Sequence, residues 1–455
     1  MIPDHVRNRR SGSNQSRPMR NVRVVVSDAA ATIRRLSWRT KCFLLSTLCL
    51  SLYIYGSLIM SLTQNHLADD KFLQTDKCPA CYGHSLCWAF KDSQIKLKGW
   101  SQVRLLDFVN IKNVHFAEHS HLGHTVVLKK LAHDKELDDI DEKLCKDAVR
   151  PVGCDVARVL MRTNTGDEIR RLGLLPKHLK GTASMFSCPT YTLIDKVMEN
   201  YKEKLKPDNP EVMTRDKLQL YVTAITNPEP LMLQTFPSSE GWPFPEYFGA
   251  CGRFIAVSYE GEPLYNYYNA PWQKRADLAY QIMKIADRLT NSGKDFALYM
   301  TDLNYENLVV DGAGKVTLID LENIIVVDRT AIQRLKKPLW NDLHENRFDE
   351  CDGKNCLTFS TEDLCSRMDS DLNYYAVCRN LLSKYANDAD LGMPHGLLHD
   401  MPNFAVDDWD LEHLLNECVH PTVAEGRIKA KERILHALEN LRNVEDSRDA
   451  AHRIS

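Results

Sequence analysis

The run CFLLSTLCLSLYIYGSLIMSL, Cys42 to Leu62, holds 21 residues without a charge. That length crosses the hydrocarbon core of a bilayer as one helix, so the sequence predicts a single span dividing a short tail from a long body. Before it, Met1 to Lys41 carries ten Lys or Arg against Asp4 and Asp28, and beyond it stand Asp69 and Asp70. The positive-inside bias places the tail in the cytosol. A cleaved signal peptide is the rival reading, but its apolar core usually runs about 7 to 15 residues. The expectation is a cytosolic basic tail over 1–41, a signal anchor over 42–62, a stem over 63–77 and a compact body from Cys78.

Fourteen cysteines include Cys42 and Cys49 inside the run, which leaves twelve beyond it. An even number in an oxidising compartment reads as a disulfide framework. Cys78, Cys81 and Cys87 also suit the start of a zinc site, but no second pair with matching His spacing follows, so disulfides are expected. Among His84, His115, His119, His121 and His124 the one pair four apart, His115 and His119, lies in and just after the strand-like run NVHFAE rather than on a helix. All five read as surface or core histidines. The whole chain is formally at -3. Its tail, ten basic against two acidic residues, stands at +8, so the remainder lies near -11. That sign argues against nucleic acid as a partner.

Strand-like runs VRLLDFV, NVHFAE and TVVLKKL precede a helical stretch, DKELDDIDEKLCKDAV. Then GRFIAVSYEGEPL reads as a strand ending in a turn, and WQKRADLAYQIMKIADRLTN as an amphipathic helix burying Leu278, Ile282, Ile285 and Leu289. NLVVDGAGKVTLID has the pattern of a hairpin, and helix and loop follow Asp328. Strands segregated from helices in this order predict an α+β, two-lobed body.

Phosphoryl transfer needs groups that hold and neutralise a triphosphate with its metal ions, and an acid that orients the acceptor hydroxyl. Asp302 and Asn307 give D-x-x-x-x-N, the spacing of a protein kinase catalytic loop, and Asp320 follows 18 residues after Asp302. Upstream, Lys129 ends the strand TVVLK in the position of the kinase strand lysine. On the next helix Glu136 shares a face with Ile140 and Leu144, so it is the expected partner of Lys129, whereas Glu142 falls on the polar side.

From Lys129 through Asp371 the chain resembles a highly divergent protein kinase. KCPACYGHSLC, RLLDFVNIKNVHFAE, TFPSSEGWPFPEYFGACGR, NAPWQKRADLAYQIM and FDECDGKNCLTFS resemble the divergent protein kinase domain (FAM69-like) family of secretory-pathway proteins, in the branch known as "deleted in autism protein 1" and its relatives. The resemblance covers Cys78 to the C-terminus. It implies a bilobal kinase-like fold with a Cys-rich region and N-lobe over 78–256, and a hinge and C-lobe over 257–455. It implies ATP with Mg or Mn as cofactors: Lys129 on the phosphates, Glu136 in the lysine's ion pair, Ser258, Tyr259 and Glu260 at the adenine, Asp302 as catalytic base, and Asn307 and Asp320 on metal. Asp371 looks like the structural Asp of the helix after the activation segment. Residence in the endoplasmic reticulum, the Golgi or the extracellular space is the implied localisation, and a lumenal or extracellular protein is the implied partner. With the span read above, the expectation is a single-pass type II protein either retained or released by cleavage.

Departures from the pattern define an alternative. Met300 and Thr301 stand where H-R-D would have His and Arg, D-L-E replaces D-F-G at Asp320, and no G-x-G-x-x-G precedes Lys129. DKELDDIDEK lacks the pattern of a calcium loop, so calcium is not expected. Two readings stay open: an enzyme that transfers phosphate to protein or, second, to sugar, and a pseudokinase that serves as a secreted or Golgi signalling or trafficking factor. Transfer of a nucleotide monophosphate from a reversed ATP is a third.

Overall fold

The computed structural model describes residues 37–442 apart from 64, 99–113, 121–122, 205–210, 292–294 and 348–356. The chain forms two units, Met1–Gln64 and Asn65–Ser455.

In the first unit the apolar run forms helix α1, Trp38–Thr63. Among the described residues no helix is long and apolar enough to cross a membrane, so the expected span is not found there. Arg39 and Lys41 occupy the helix start. The hydroxyls of Ser46, Thr47 and Ser51 donate to the carbonyls of Phe43, Leu44 and Thr47 at 2.9, 2.9 and 2.8 Å.

The second unit is the expected α+β body. Strands β1 (Ile95–Leu97), β2 (Val114–His119), β3 (Thr125–Lys129), β4 (Tyr247–Cys251) and β5 (Phe254–Ser258) form an antiparallel sheet in the order β1-β2-β3-β5-β4. Helices α2 (Asp134–Asp147), α3 (Thr214–Thr226) and α4 (Glu229–Thr235) lie between β3 and β4 in sequence. After the sheet come β6 (Glu262–Pro263), α5 (Trp272–Asn291), β7 (Phe296–Met300), β8 (Leu308–Val310), β9 (Val316–Leu318) and β10 (Ile324–Asp328). Helices α6 (Leu372–Val377), α7 (Leu411–Val419) and α8 (Gly426–Leu441) complete the C-terminal half. The expected strand VRLLDFV falls outside the described residues.

Period-two alternation sets the faces of β3. Val126 and Leu128 pack with Ala117, Phe254 and Ala256 in one core, leaving Val127 and Lys129 on the opposite face. That first core also takes Leu67 and Leu73, both fully buried, so the segment expected to be a stem is part of the sheet's packing. In α5 the predicted residues Leu278, Ile282, Ile285 and Leu289 are all buried. The hairpin β8–β9 turns at Asp311, whose carboxylate accepts from the amides of Ala313 and Lys315 at 2.9 and 2.8 Å.

Disulfides join Cys78 to Cys81, Cys87 to Cys251, Cys145 to Cys154, Cys188 to Cys365 and Cys378 to Cys418. Cys351 and Cys356 lie outside the described residues. Cys78, Cys81 and His84 bring potential ligand atoms within 4.8 Å. The bond between the two cysteines leaves neither a thiolate for zinc.

Candidate nucleotide site

A cavity of about 760 Å³ opens between the five-stranded sheet and the β6–β8–β9 sheet, and its lining gathers Lys129, Glu136, Ser258, Tyr259, Glu260, Asp302, Asn307 and Asp320. Every residue expected at the site therefore reaches one space.

Lys129, on the inward face of β3, donates to Glu229 Oε1 at 2.7 Å and to the carbonyl of Ile319 at 2.8 Å. Glu229 opens α4 and is buried. Burial first, then the charges of Asp320 and Glu322, push its carboxyl up to about 7 against the opposing effect of Lys129.

This corrects the expected pairing with Glu136. Glu136 is exposed and caps its own helix, accepting from the His133 amide at 2.7 Å. The buried face of α2 is Leu137, Asp141, Leu144 and Cys145, so the inward carboxylate is Asp141, held by Lys77 at 3.1 Å and by Arg253. The α2 face is rotated by one residue from the sequence reading. The H-x-x-E capping spacing at His133 was the signal that could have corrected it. Glu229, between Pro228 and Pro230 and 100 residues from Lys129, carried no comparable sequence signal.

At the cavity floor, antiparallel pairing of β7 with β10 sets Met300 opposite Ile324. Both the amide and the hydroxyl of Thr301 then donate to the Asn323 carbonyl, at 3.2 and 2.6 Å. The next residue is Asp302, half-buried, which accepts from Asn304 Nδ2 at 3.3 Å. Burial and then the charge of Asp320 raise its pKa above the ordinary aspartate range. Asn304 also accepts from the amides of Glu306 and Asn307, at 2.8 and 3.0 Å, which folds the turn. Asn307 is buried and donates from Nδ2 to the Asp302 carbonyl at 3.2 Å, while its own carbonyl accepts from the Ile319 amide at 2.9 Å. These bonds register the Asp302 turn against the segment bearing Asp320.

Asn373, fully buried on α6, accepts from the Met300 amide at 2.9 Å and donates to the Leu298 carbonyl and Thr290 Oγ1 at 2.8 and 2.9 Å. It thereby holds the strand that presents Asp302. Asp371 serves elsewhere in the same half: it pairs with the buried Arg427 and accepts from the Asn346 amide at 2.8 Å. Both Asn373 and Arg427 escaped sequence reading, since each is defined by contacts distant along the chain.

The hinge predicted over Val257 to Leu264 runs from β5 into β6. Ser258 Oγ donates to Glu260 and accepts from the Glu246 amide at 2.8 Å, and Tyr259 donates to Glu262 at 2.6 Å. Gly261 has φ +116, and a Cβ there would lie 2.0 Å from the Val310 carbonyl. Only glycine lets the hinge pass this close to β8.

A family model described as "Protein-kinase domain of FAM69" matches residues 221–421. "Divergent protein kinase domain 2A" of Homo sapiens is 42% identical over 90% of this chain and 97% of its own length. The protein of the same name from Xenopus tropicalis is 42% identical over 88% and 95%. The chain belongs to the divergent protein kinase domain family. "Divergent protein kinase domain 2B" of Homo sapiens is also similar, 30% identical over 60% of this chain and 65% of its own length. The family assignment agrees with the mixed helix-and-sheet, disulfide-linked body.

The donor set fits the divalent cations implied by that resemblance. Among the described residues, the cavity's carboxylates do not form a group of three or more placed to share one ion. Asn307 and Asp320 instead offer hard oxygens of the kind Mg²⁺ uses when phosphates and water fill the rest of its shell. Glu322, where a kinase would have glycine, also lines the cavity, and burial followed by Asp320 raises its pKa. Such mutual repulsion among carboxylates is relieved by bound cations.

Proposed function

We propose that this cavity binds ATP with Mg²⁺ or Mn²⁺ and that the protein transfers the terminal phosphoryl group to a hydroxyl of a lumenal or extracellular protein. The observation that carries the reading is the convergence of Lys129, Asp302, Asn307 and Asp320 on one space of nucleotide size. Val127 and Val257 on one side and Val309 and Ile319 on the other offer apolar walls for a base. Lys129, kept in place by Glu229, holds phosphate oxygens, and Asp302 orients the acceptor hydroxyl and takes its proton. Metal ions, when bound through Asn307 and Asp320, supply neutralisation of the charge on the phosphates.

Pairing of all ten described body cysteines supports an oxidising compartment, the secretory lumen or beyond. A second reading, a pseudokinase acting as a binding partner, is favoured by Met300 and Thr301 before Asp302 and by Glu322 in place of glycine. Incubation with γ-labelled ATP and extracts of secreted proteins separates the two. Metal-dependent labelling that Asp302→Asn lowers about 100-fold or more supports transfer. Equal labelling by the variant, or none by either protein while ATP binding persists, supports the second.

A further inference from the structure

Resting on the nucleotide reading above, we propose that Asn227 is a positioning residue that locks the lysine's glutamate and the segment after Asp320 into one arrangement. Asn227 caps the C-terminal end of α3, lines the cavity and is buried to 4% exposure. Its Oδ1 accepts from the Glu229 amide at 2.9 Å, fixing the start of α4. Its Nδ2 donates to the carbonyl of Leu131, two residues past Lys129, at 3.1 Å, and to Glu322 Oε2.

One amide thus ties three segments: the end of β3, the start of α4 and the D-L-E stretch. Lys129 closes the circuit, bonded both to Glu229 and to the carbonyl of Ile319 just before Asp320. A side chain that both donates and accepts is needed at this point, which Asn satisfies and neither Asp nor Leu does. Glu322 then has a use that glycine would not: it anchors the segment of Asp320 to the sheet side of the cavity. Loss of the anchor releases Asp320 and Glu229 together, without touching the nucleotide directly.

The test compares Asn227→Asp, Asn227→Ala and the double variant Asn227→Asp/Glu322→Gln in the full chain with its disulfides intact. Asn227→Asp opposes two acceptors, and the Gln of the double variant restores a donor with the wild-type net charge. Binding of ATP with Mg²⁺ or Mn²⁺ should weaken about tenfold or more in both single variants and return to within about threefold in the double variant. Glu322→Gln alone still accepts from Asn227, so its segment 319–323 should exchange as in wild type. Hydrogen exchange gives a readout that needs no ligand: segments 227–235 and 319–323 should exchange faster in both single variants, and segment 319–323 should recover in the double variant. Faster exchange with the predicted recovery, in a wild type that binds no nucleotide, would uphold the anchor and defeat the nucleotide reading. Wild-type exchange in Asn227→Asp, or no recovery in the double variant, would overturn the proposal.

Discussion

Glu229 is the residue on which the cavity's electrostatics turn. Its carboxyl is raised from 4.5 to about 7, so between those values the native state takes up a proton that the unfolded chain does not. Stability from this group therefore grows as pH falls from about 7 toward 4.5, by on the order of 3 kcal/mol at most. The same proton removes the charge facing Lys129. Chemical denaturation between pH 5 and 8 should show this slope in the wild type and its loss in Glu229→Gln, and a slope unchanged by the variant would refute the raised pKa. Lys129→Met, which leaves Glu229 buried without its cation, should abolish ATP binding and cost about 3 kcal/mol of stability, measured in the same titration. Residue-scale reading from sequence brought residues together where local spacing is the signal: Asp302, Asn307 and Asp320 sit on one short stretch whose hairpin is itself legible, and all three line the cavity. It failed for Glu229 and Asn227, whose roles arise only when the helices between β3 and β4 fold back onto the lysine.

Among the elements, the hinge and the sheet edge are the most constrained. Gly261→Ala drives a methyl into the Val310 carbonyl at a backbone conformation side chains avoid, and should destabilise by about 2 to 4 kcal/mol in thermal unfolding. The bond between Cys87 and Cys251 closes a loop of 164 residues and fixes β4 to the segment carrying the cysteine cluster. Replacing both by Ala should cost about 2 to 5 kcal/mol, and a loss under about 1 kcal/mol would mean that packing alone secures β4. Strands and the long helices were readable because hydrophobic periodicity is strong in them: β2, β3, α2 and α5 stand where the sequence predicts. The one-residue error in the face of α2 arose because Asp141 is buried with Lys77 and Arg253, and periodicity treats a buried charge as surface. The apolar run forms its helix as predicted, and among the described residues that helix does not reach the length and apolarity of a membrane span.

At the scale of the molecule, disulfides and the kinase-like body answer different parts of the sequence. Cysteine number predicted a framework but not its pairing, because connectivity depends on which segments the folded lobes bring together; the bond from Cys188 to Cys365, 177 residues apart, is legible only in three dimensions. Under alkylation without reductant, the ten paired body cysteines should stay unmodified and become reactive on reduction, which checks the oxidised framework in the purified protein. This chain departs from the kinase pattern at Met300, Thr301 and Glu322, whereas Lys129, Asp302, Asn307 and Asp320 all line the cavity. The most direct measurement is a thermal shift of the full chain with ATP and Mg²⁺ or Mn²⁺, beside Asp320→Ala. At one hundred times the dissociation constant, binding should add about 2.7 kcal/mol, require the metal and vanish in the variant. No shift with either metal, or an equal shift in Asp320→Ala, would contradict a nucleotide site built on Lys129, Asn307 and Asp320.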